Sequence, residues 1–232
     1  MVQYRRYVQN STVQRKTPDP ILFNFKSDLV ISSHTTTFLS ACQPEKVDLV
    51  FLLAPSASST LESFEKMKTL ALELLDEADI DSGNVGVGVY SAFSETQWSL
   101  QDFTNKAELL EAFDDLPFQG AIAINIGSAI LVVRNKIFIP SRGDRENVKN
   151  VLVVMTDGLS AGDPGPMSDA VRSDGIHIYA VGIGLSYTAE LDEIANKPSG
   201  DNVFTVHKGF GALERLEQQI FGEECGKFKH TN

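Results

Sequence analysis

The sequence is short of basic residues and of cysteine. Its 232 residues include 20 lysines and arginines against 31 acidic residues, a formal net charge of −11, and only two cysteines. Because phosphate binding requires a basic surface, this balance argues against a nucleic acid as the main partner. The apolar fraction of 42% is ordinary for a globular protein. The chain is therefore expected to form one sizeable domain with an appendage.

Long apolar runs and the usual cofactor motifs are also missing. No apolar stretch approaches the length of a membrane span. The amino terminus, MVQYRRYVQNSTVQRK, has no apolar stretch after its charges and is not a signal peptide, so a secreted form has lost its signal or the sequence is a fragment. There is no phosphate loop, paired Cys-x-x-Cys or dinucleotide fingerprint. The four histidines, at positions 34, 177, 207 and 230, show no metal-ligand spacing.

The two cysteines, Cys42 and Cys225, lie just outside the two ends of the periodic part of the sequence. Two free thiols in a cytosolic protein would fall anywhere, whereas a bracketing pair suggests a disulfide that joins adjacent termini in an oxidising compartment. In the chain-entropy model, a loop of this length stabilises the fold by about 5 kcal/mol. The sequon at Asn10 predicts glycosylation and indicates the same compartment.

The chain divides by composition into three parts. Residues 1–41 are basic at the start and interrupted by prolines, which predicts an amino-terminal arm or the remnant of a preceding segment. Residues 42–225 form the predicted domain, and residues 226–232 a carboxyl-terminal tail.

Strands and helices alternate from Val47 onward. Apolar runs at Val47–Leu53, Val151–Met155 and Ile176–Val181 are typical of strands buried on both faces. Further strands are predicted at Val85–Tyr90 and Thr96–Leu100, and helices at Leu61–Leu74, Lys106–Phe113, Ile126–Asn135, Leu191–Ala195 and Ala212–Phe221, the first with a capping box at Ser59 and Glu62. This order predicts an α/β fold of three layers, doubly wound, with a mostly parallel central sheet and helices on both faces. Ligands of such sheets bind beyond the carboxyl ends of the strands, which directs attention to the turns after the first and fourth strands.

Several segments resemble one known family. VDLVFLLAPSASS, NVGVGVYS, VLVVMTDGLS and GIHIYAVGIG occur in the order and spacing of a von Willebrand factor type A domain, and AELDEIANKPSGDNVFTV is similar to the family's late helix and final strand. The resemblance covers roughly residues 46 to 223. It implies the three-layer α/β fold and an adhesion function. The flanking cysteine pair is also familiar from members in matrix proteins and collagens.

The resemblance further implies a metal-ion-dependent adhesion site (MIDAS). The family supplies an Asp-x-Ser-x-Ser turn, a threonine and a second aspartate, as oxygen ligands of a hard cation. Here Ser56, Ser58 and Asp157 are retained, Ala54 replaces the first aspartate, and Ile124 replaces the threonine. We interpret the site as degenerate, with the two serines capping the next helix and Asp157 serving the turn. No cofactor is expected beyond weak binding of Mg²⁺ or Mn²⁺.

An enzymatic alternative rests on Gly158-Leu159-Ser160-Ala161-Gly162, which matches the nucleophile elbow of serine hydrolases. That elbow requires a helix directly behind the serine, whereas Pro164 and Pro166 predict a loop here. His207 would be the base, but no acid is specified beside it. The family's turn explains the same five residues, so we predict no enzyme. Gly86 and Gly88 lie within a strand, where close packing explains them.

An adhesion alternative rests on Arg142, Gly143 and Asp144, the tripeptide that integrins recognise in many matrix proteins. The polar stretch around it predicts an exposed loop, in which a receptor's cation would take the Asp144 carboxylate.

We therefore predict a secreted extracellular matrix module that binds collagen or another matrix macromolecule without metal. The alternatives are an integrin ligand and a cation-dependent adhesion receptor.

Overall fold

The computed structural model describes residues 45–56, 58–76, 78–83, 85–91, 96–118, 125–184, 188–206 and 211–222. The chain divides into two units, residues 1–40 and 41–232, and every described residue belongs to the second. The predicted borders of the arm and the tail lie outside the described residues and stay predictions.

The described residues form one six-stranded sheet with helices between its strands. The strands are β1 Val47–Leu53, β2 Val85–Ser91, β3 Thr96–Trp98, β4 Lys149–Thr156, β5 His177–Ile183 and β6 Val203–Val206. The helices are α1 Leu61–Asp76, α2 Lys106–Asp114, α3 Ile126–Lys136, α4 Gly165–Ser173, α5 Thr188–Ile194, α6 Ser199–Asn202 and α7 Gly211–Phe221. The strand order is β3-β2-β1-β4-β5-β6, and only the pairing of β3 with β2 is antiparallel.

The two faces of the sheet carry separate apolar cores. Successive residues of a strand point to opposite faces, and all seven residues of β1 are buried. Leu49, Phe51 and Leu53 pack with apolar side chains of α1, α2 and α7, whereas Val50 and Leu52 pack with those of α3, α4 and α5. Helices therefore cover both faces of the sheet, and the predicted three-layer, doubly wound fold is confirmed.

Two helices, α4 and the four-residue α6, were not predicted from the sequence. Residues Gly165–Ser173 form α4, although Pro164 and Pro166 had indicated a loop. Proline is tolerated in the first turn of a helix, because the N–H that it lacks has no partner there. Among the described residues, no helix is both long enough and apolar enough to cross a membrane.

The glycines of β2 allow close packing, as predicted. A Cβ on Gly88 would lie 2.9 Å from Cγ2 of Ile137 and 3.1 Å from the backbone oxygen of Trp98. A Cβ on Gly86 would lie 2.9 Å from Oδ1 of Asp48. A side chain at either position would force its neighbours apart.

Candidate functional site

The turns that follow β1 and β4 lie side by side at the carboxyl-terminal edge of the sheet. These strands are adjacent and parallel, and β2 lies on the other side of β1, so the strand order reverses here. The backbone N–H of Ala54 donates to the backbone oxygen of Met155 at 2.8 Å. The predicted placement of the two turns is confirmed, and it is the place where ligands of such sheets bind.

Asp157 joins the two turns through its carboxylate. Its Oδ1 accepts a hydrogen bond from the backbone N–H of Ser56 at 2.8 Å and another from the hydroxyl of Ser59. The backbones also approach closely, since a Cβ on Gly158 would lie 2.5 Å from the Cβ of Ser56. Glycine alone fits this approach. The two turns are therefore in direct contact, and the predicted role of Asp157 in the turn is confirmed.

Ser56 and Ser58 do not cap α1, so this part of the sequence interpretation is wrong. Their hydroxyl oxygens lie 3.0 Å apart and share a hydrogen bond. The cap is Thr60, whose Oγ1 accepts from a backbone N–H of the first turn at 3.2 Å. The predicted capping box at Ser59 is wrong by one residue, because the Ser59 hydroxyl donates to Asp157 instead.

The two turns offer few ligands for a divalent cation. Ala54 is fully buried among apolar side chains, so a methyl group stands where the family has a carboxylate. Ser56, Ser58 and Asp157 leave two hydroxyls and one carboxylate, whose Oδ1 already accepts two hydrogen bonds. Mg²⁺ and Mn²⁺ require several oxygen ligands and compensating charge, and this set does not fit that requirement. Ile124 lies outside the described residues.

Other acidic and histidine side chains among the described residues do not make up for this deficit. Within the part of the chain that the structure describes, no group of three or more His, Cys, Asp or Glu side chains is arranged to hold a metal ion.

Ser160 is engaged in packing the turn after β4. Its hydroxyl accepts a hydrogen bond from the backbone N–H of Ile126 at 3.0 Å, and its own N–H donates to both carboxylate oxygens of Glu190 at 3.0 and 3.1 Å. Burial raises the pKa of Glu190, the bond from Ser160 opposes that rise, and Asp163 adds to it. Helix α4 begins at Gly165 and not directly behind Ser160, unlike the helix of a nucleophile elbow.

Arg142, Gly143 and Asp144 lie at the opposite, amino-terminal edge of the sheet, just before β4. Arg142 is exposed at the end of the short 3₁₀ helix Pro140–Arg142, and Gly143 has a φ of 91°. Asp144 is half-buried, and its Oδ1 accepts a hydrogen bond from Nδ2 of Asn150 at 2.8 Å. The predicted loop is thus only partly exposed, and the carboxylate that an integrin would take already has a partner.

His177 is the one histidine within the described residues. Its Nε2 lies 2.7 Å from Oδ1 of Asn202, and its Nδ1 lies 3.3 Å from Nδ2 of Asn196. Both contacts fit a neutral ring that donates through Nε2 and accepts through Nδ1. Burial lowers the pKa of His177, the bond to Asn202 opposes this, and Lys149 lowers the pKa further. His177 is therefore a hydrogen-bonded residue at the start of β5.

This lowered pKa predicts a pH-dependent stability. Below the ordinary value of 6.5 the unfolded chain binds a proton that the folded His177 does not, so the free energy of unfolding should fall as the pH falls. The slope is at most about 1.4 kcal/mol per pH unit from one group. Urea unfolding between pH 7.5 and 5 should give a shallower slope for His177→Gln. The other three histidines are present in both proteins, so parallel profiles would contradict the prediction.

Several predicted site residues lie outside the described residues. They are Cys42 and Cys225 of the predicted disulfide, Asn10 of the sequon, and His207 of the hydrolase alternative. The disulfide and the glycosylation stay predictions.

Sequence comparisons find relatives of the described domain in matrix proteins. A family model described as the von Willebrand factor type A domain matches residues 48–219. The human collagen alpha-6(VI) chain is 31% identical over 197 residues, which is 82% of this chain and 8% of that protein. Matrilin-3 of Gallus gallus is 29% identical over 191 residues, which is 80% of this chain and 42% of that protein. Both are extracellular matrix proteins, and this chain spans less than half the length of either.

Solved structures give the same fold. Proximal thread matrix protein 1 (PTMP1) from the mussel byssus, in crystal form 2, has a TM-score of 0.65 at 23% identity and covers 77% of this chain and 48% of that one. The same mussel protein with a zinc-occupied MIDAS motif has a TM-score of 0.61 at 25% identity, with coverages of 76% and 45%. The family match covers most of the chain and agrees with the sheet order and the paired turns. The chain therefore belongs to the von Willebrand factor type A domain family.

Proposed function

We propose that this protein is a secreted, non-enzymatic module of the extracellular matrix that binds collagen or another matrix macromolecule without a metal ion. One observation carries the metal-free part of the proposal: Asp157 bonds directly to Ser56 and Ser59 across the two turns. The two turns are thus joined by hydrogen bonds between protein groups. The proposed Cys42–Cys225 disulfide and the glycosylation of Asn10 belong to the same extracellular setting.

Membership of the family supports the matrix setting. The relatives named above are collagens and matrilins, and these are structural proteins of the matrix. This chain spans only part of the length of these relatives. Its role in the matrix is therefore proposed and is not taken over from the whole relatives. Ser160, the residue of the hydrolase alternative, gives its hydroxyl and its N–H to local hydrogen bonds, which supports a structural role for the turn.

The donor set supports binding without metal. A cation here would have to take its ligands from two serines and one carboxylate, and Asp157 Oδ1 would have to give up the N–H of Ser56. The mussel protein with zinc in its MIDAS motif makes zinc the ion to include in a test beside magnesium.

The test is surface binding of the purified full chain to fibrillar collagen, network collagen and other matrix proteins. It is run in Mg²⁺, in Zn²⁺ and in EDTA. We expect saturable binding to at least one of them, with the same dissociation constant in all three buffers, because no ion completes the site. Loss of binding in EDTA would overturn the metal-free part, and absence of binding to every matrix protein would overturn the function.

An integrin ligand is the weaker candidate. Arg142 is exposed, but Asp144 would have to exchange its bond to Asn150 for a receptor's cation. That exchange costs a hydrogen bond, so the local geometry favours the matrix module.

A further inference from the structure

A cavity of about 330 Å³ lies at the amino-terminal edge of the sheet, away from the paired turns. Its walls come from the end of α3 and the residues after it, from the start of β4 and the segment before it, and from the connection between α4 and β5. The cavity combines an apolar wall with polar groups, as ligand sites commonly do. Its lining includes the buried side chains of Phe138 and Ile176 and the polar side chains of Arg134, Asp144, Asn150 and Asp174.

Three side-chain oxygens of this lining accept no hydrogen bond from any described residue. Asp144 uses Oδ1 to accept from Nδ2 of Asn150 at 2.8 Å, which leaves its Oδ2. Asp174 uses Oδ2 to accept from Nε of Arg134, which leaves its Oδ1. The third is Oδ1 of Asn150, which is buried without a partner. An unpaired buried carbonyl is unfavourable, so a ligand that brings N–H donors to this cavity would be stabilised there.

The electrostatics of the cavity favour a positively charged ligand. Two carboxylates line it, and Arg134 is the only basic residue among its described lining residues. The guanidinium of Arg134 already pairs with Asp174, so the charge of Asp144 is not offset within the lining. Helices α3 and α4 also end at this cavity, and the carboxyl end of a helix carries about half a negative elementary charge. The carboxylate of Asp144 and two helix ends therefore attract a cation.

We propose that this cavity binds the ammonium group of a lysine side chain from a matrix protein. The inference rests on the proposed function, for which it names one contact on the partner. An ammonium group has three N–H donors and no acceptor, and the three unpaired oxygens match that number. The hydrocarbon stem of lysine packs readily on apolar surface, which Phe138 and Ile176 provide here.

Two other cations fit the cavity less well. A planar guanidinium is best bound by both oxygens of one carboxylate, whereas the unpaired oxygens here belong to three side chains. A divalent metal ion requires a set of anionic ligands, and Arg134 would repel it. Among the described residues, no group of three or more His, Cys, Asp or Glu side chains is arranged to hold such an ion.

The test is an NMR titration of the isotope-labelled full chain with the methylamide of Nα-acetyl-lysine. The methylamide of Nα,Nε-diacetyl-lysine has the same stem without the charge and is the control ligand. We expect the lysine analogue to shift the backbone amide signals of Asn150 and Ile176, and the diacetyl compound to bind at least about tenfold more weakly. Asp144→Asn keeps an oxygen for the bond from Asn150 but loses the charge, so it should weaken the lysine analogue about tenfold. Glu146→Gln removes the same charge from an exposed residue that does not line the cavity, and it should bind as the wild type does. The melting temperature of each variant is measured first.

Binding to intact collagen separates this inference from the proposed function. We expect acetylation of the collagen's lysines to weaken its binding to the wild type about tenfold. A lysine analogue that binds no better than its diacetyl form, or an Asp144→Asn variant that binds it as the wild type does, would overturn the lysine site. If the wild type still binds collagen in that case, the matrix function stands and another surface carries it. A wild type that binds the lysine analogue but no matrix protein would overturn the matrix function, and with it the matrix origin of the lysine.

Discussion

Replacement of Arg145 with methionine is expected to lower the free energy of unfolding by about 3–5 kcal/mol, because it leaves a buried carboxylate without its cation. Asp48 in β1 is fully buried. The Nε of Arg145 donates to Oδ1 of Asp48 at 2.7 Å, and the Arg145 backbone N–H donates to Oδ2 at 2.8 Å. Methionine keeps most of the volume and the backbone bond, but removes the guanidinium. Urea unfolding measures the difference.

The control is Arg142→Met, three residues earlier and exposed, which should change stability by less than about 0.5 kcal/mol. A second variant, Asp48→Leu with Arg145→Met, replaces both charges and should recover part of the loss, because no unpaired buried charge remains. A similar small loss for Arg142→Met and Arg145→Met would contradict the role given to the pair.

The architecture was predictable because buried parallel strands have a simple sequence signature. β1 reads VDLVFLL and β4 contains VLVVM, and apart from Asp48 both are apolar on both faces, because helices cover both sides of the sheet. The position of the two turns followed from the same reasoning, since parallel strands end at one edge. The sequence thus predicts the layers, which depend on which residues are buried. It also predicts where the two turns lie, which depends on the direction of the strands.

The details of the site depend on partners far apart in the sequence, and these could not be predicted. Asp157 lies 98 residues from Ser59, yet their bond shifts the cap of α1 to Thr60. Asp48 is a single charged residue within an apolar run, which indicates that it has a charged partner in the folded protein. That partner, Arg145, is 97 residues away, so the sequence alone does not identify it. Local sequence indicates that a polar group needs a partner and does not say which one.

α4 shows a different limit. Prolines at a helix start and prolines in a loop look alike when the following residues, MSDAVRS, contain only three apolar side chains, those of Met167, Ala170 and Val171. The packing of Val171 against the second core decides in favour of the helix, and this information is tertiary.

A pair of substitutions at Asp157 should separate a hydrogen-bonded bridge from a metal ligand. Asparagine keeps an oxygen at the Oδ1 position, which still accepts from the Ser56 N–H and the Ser59 hydroxyl, but it loses the charge that a cation needs. We expect Asp157→Asn to lose about 1 kcal/mol of stability, the difference between a charged and a neutral acceptor. Asp157→Ala removes the acceptor from a nearly buried N–H and hydroxyl and should lose about 2–3 kcal/mol.

Binding to the matrix provides the second readout for these variants, measured in EDTA and in Mg²⁺. If the turns are joined by hydrogen bonds between protein groups, Asp157→Asn should retain binding to intact collagen within about threefold in both buffers, because the turn keeps its shape. If the carboxylate instead holds an ion, Asp157→Asn should abolish binding as completely as Asp157→Ala does. Mg²⁺ should then also stabilise the wild type relative to EDTA, by mass action, and should leave the stability of the asparagine variant unchanged. Asparagine at this one position therefore gives opposite results for the two mechanisms while leaving the geometry of the turn unchanged.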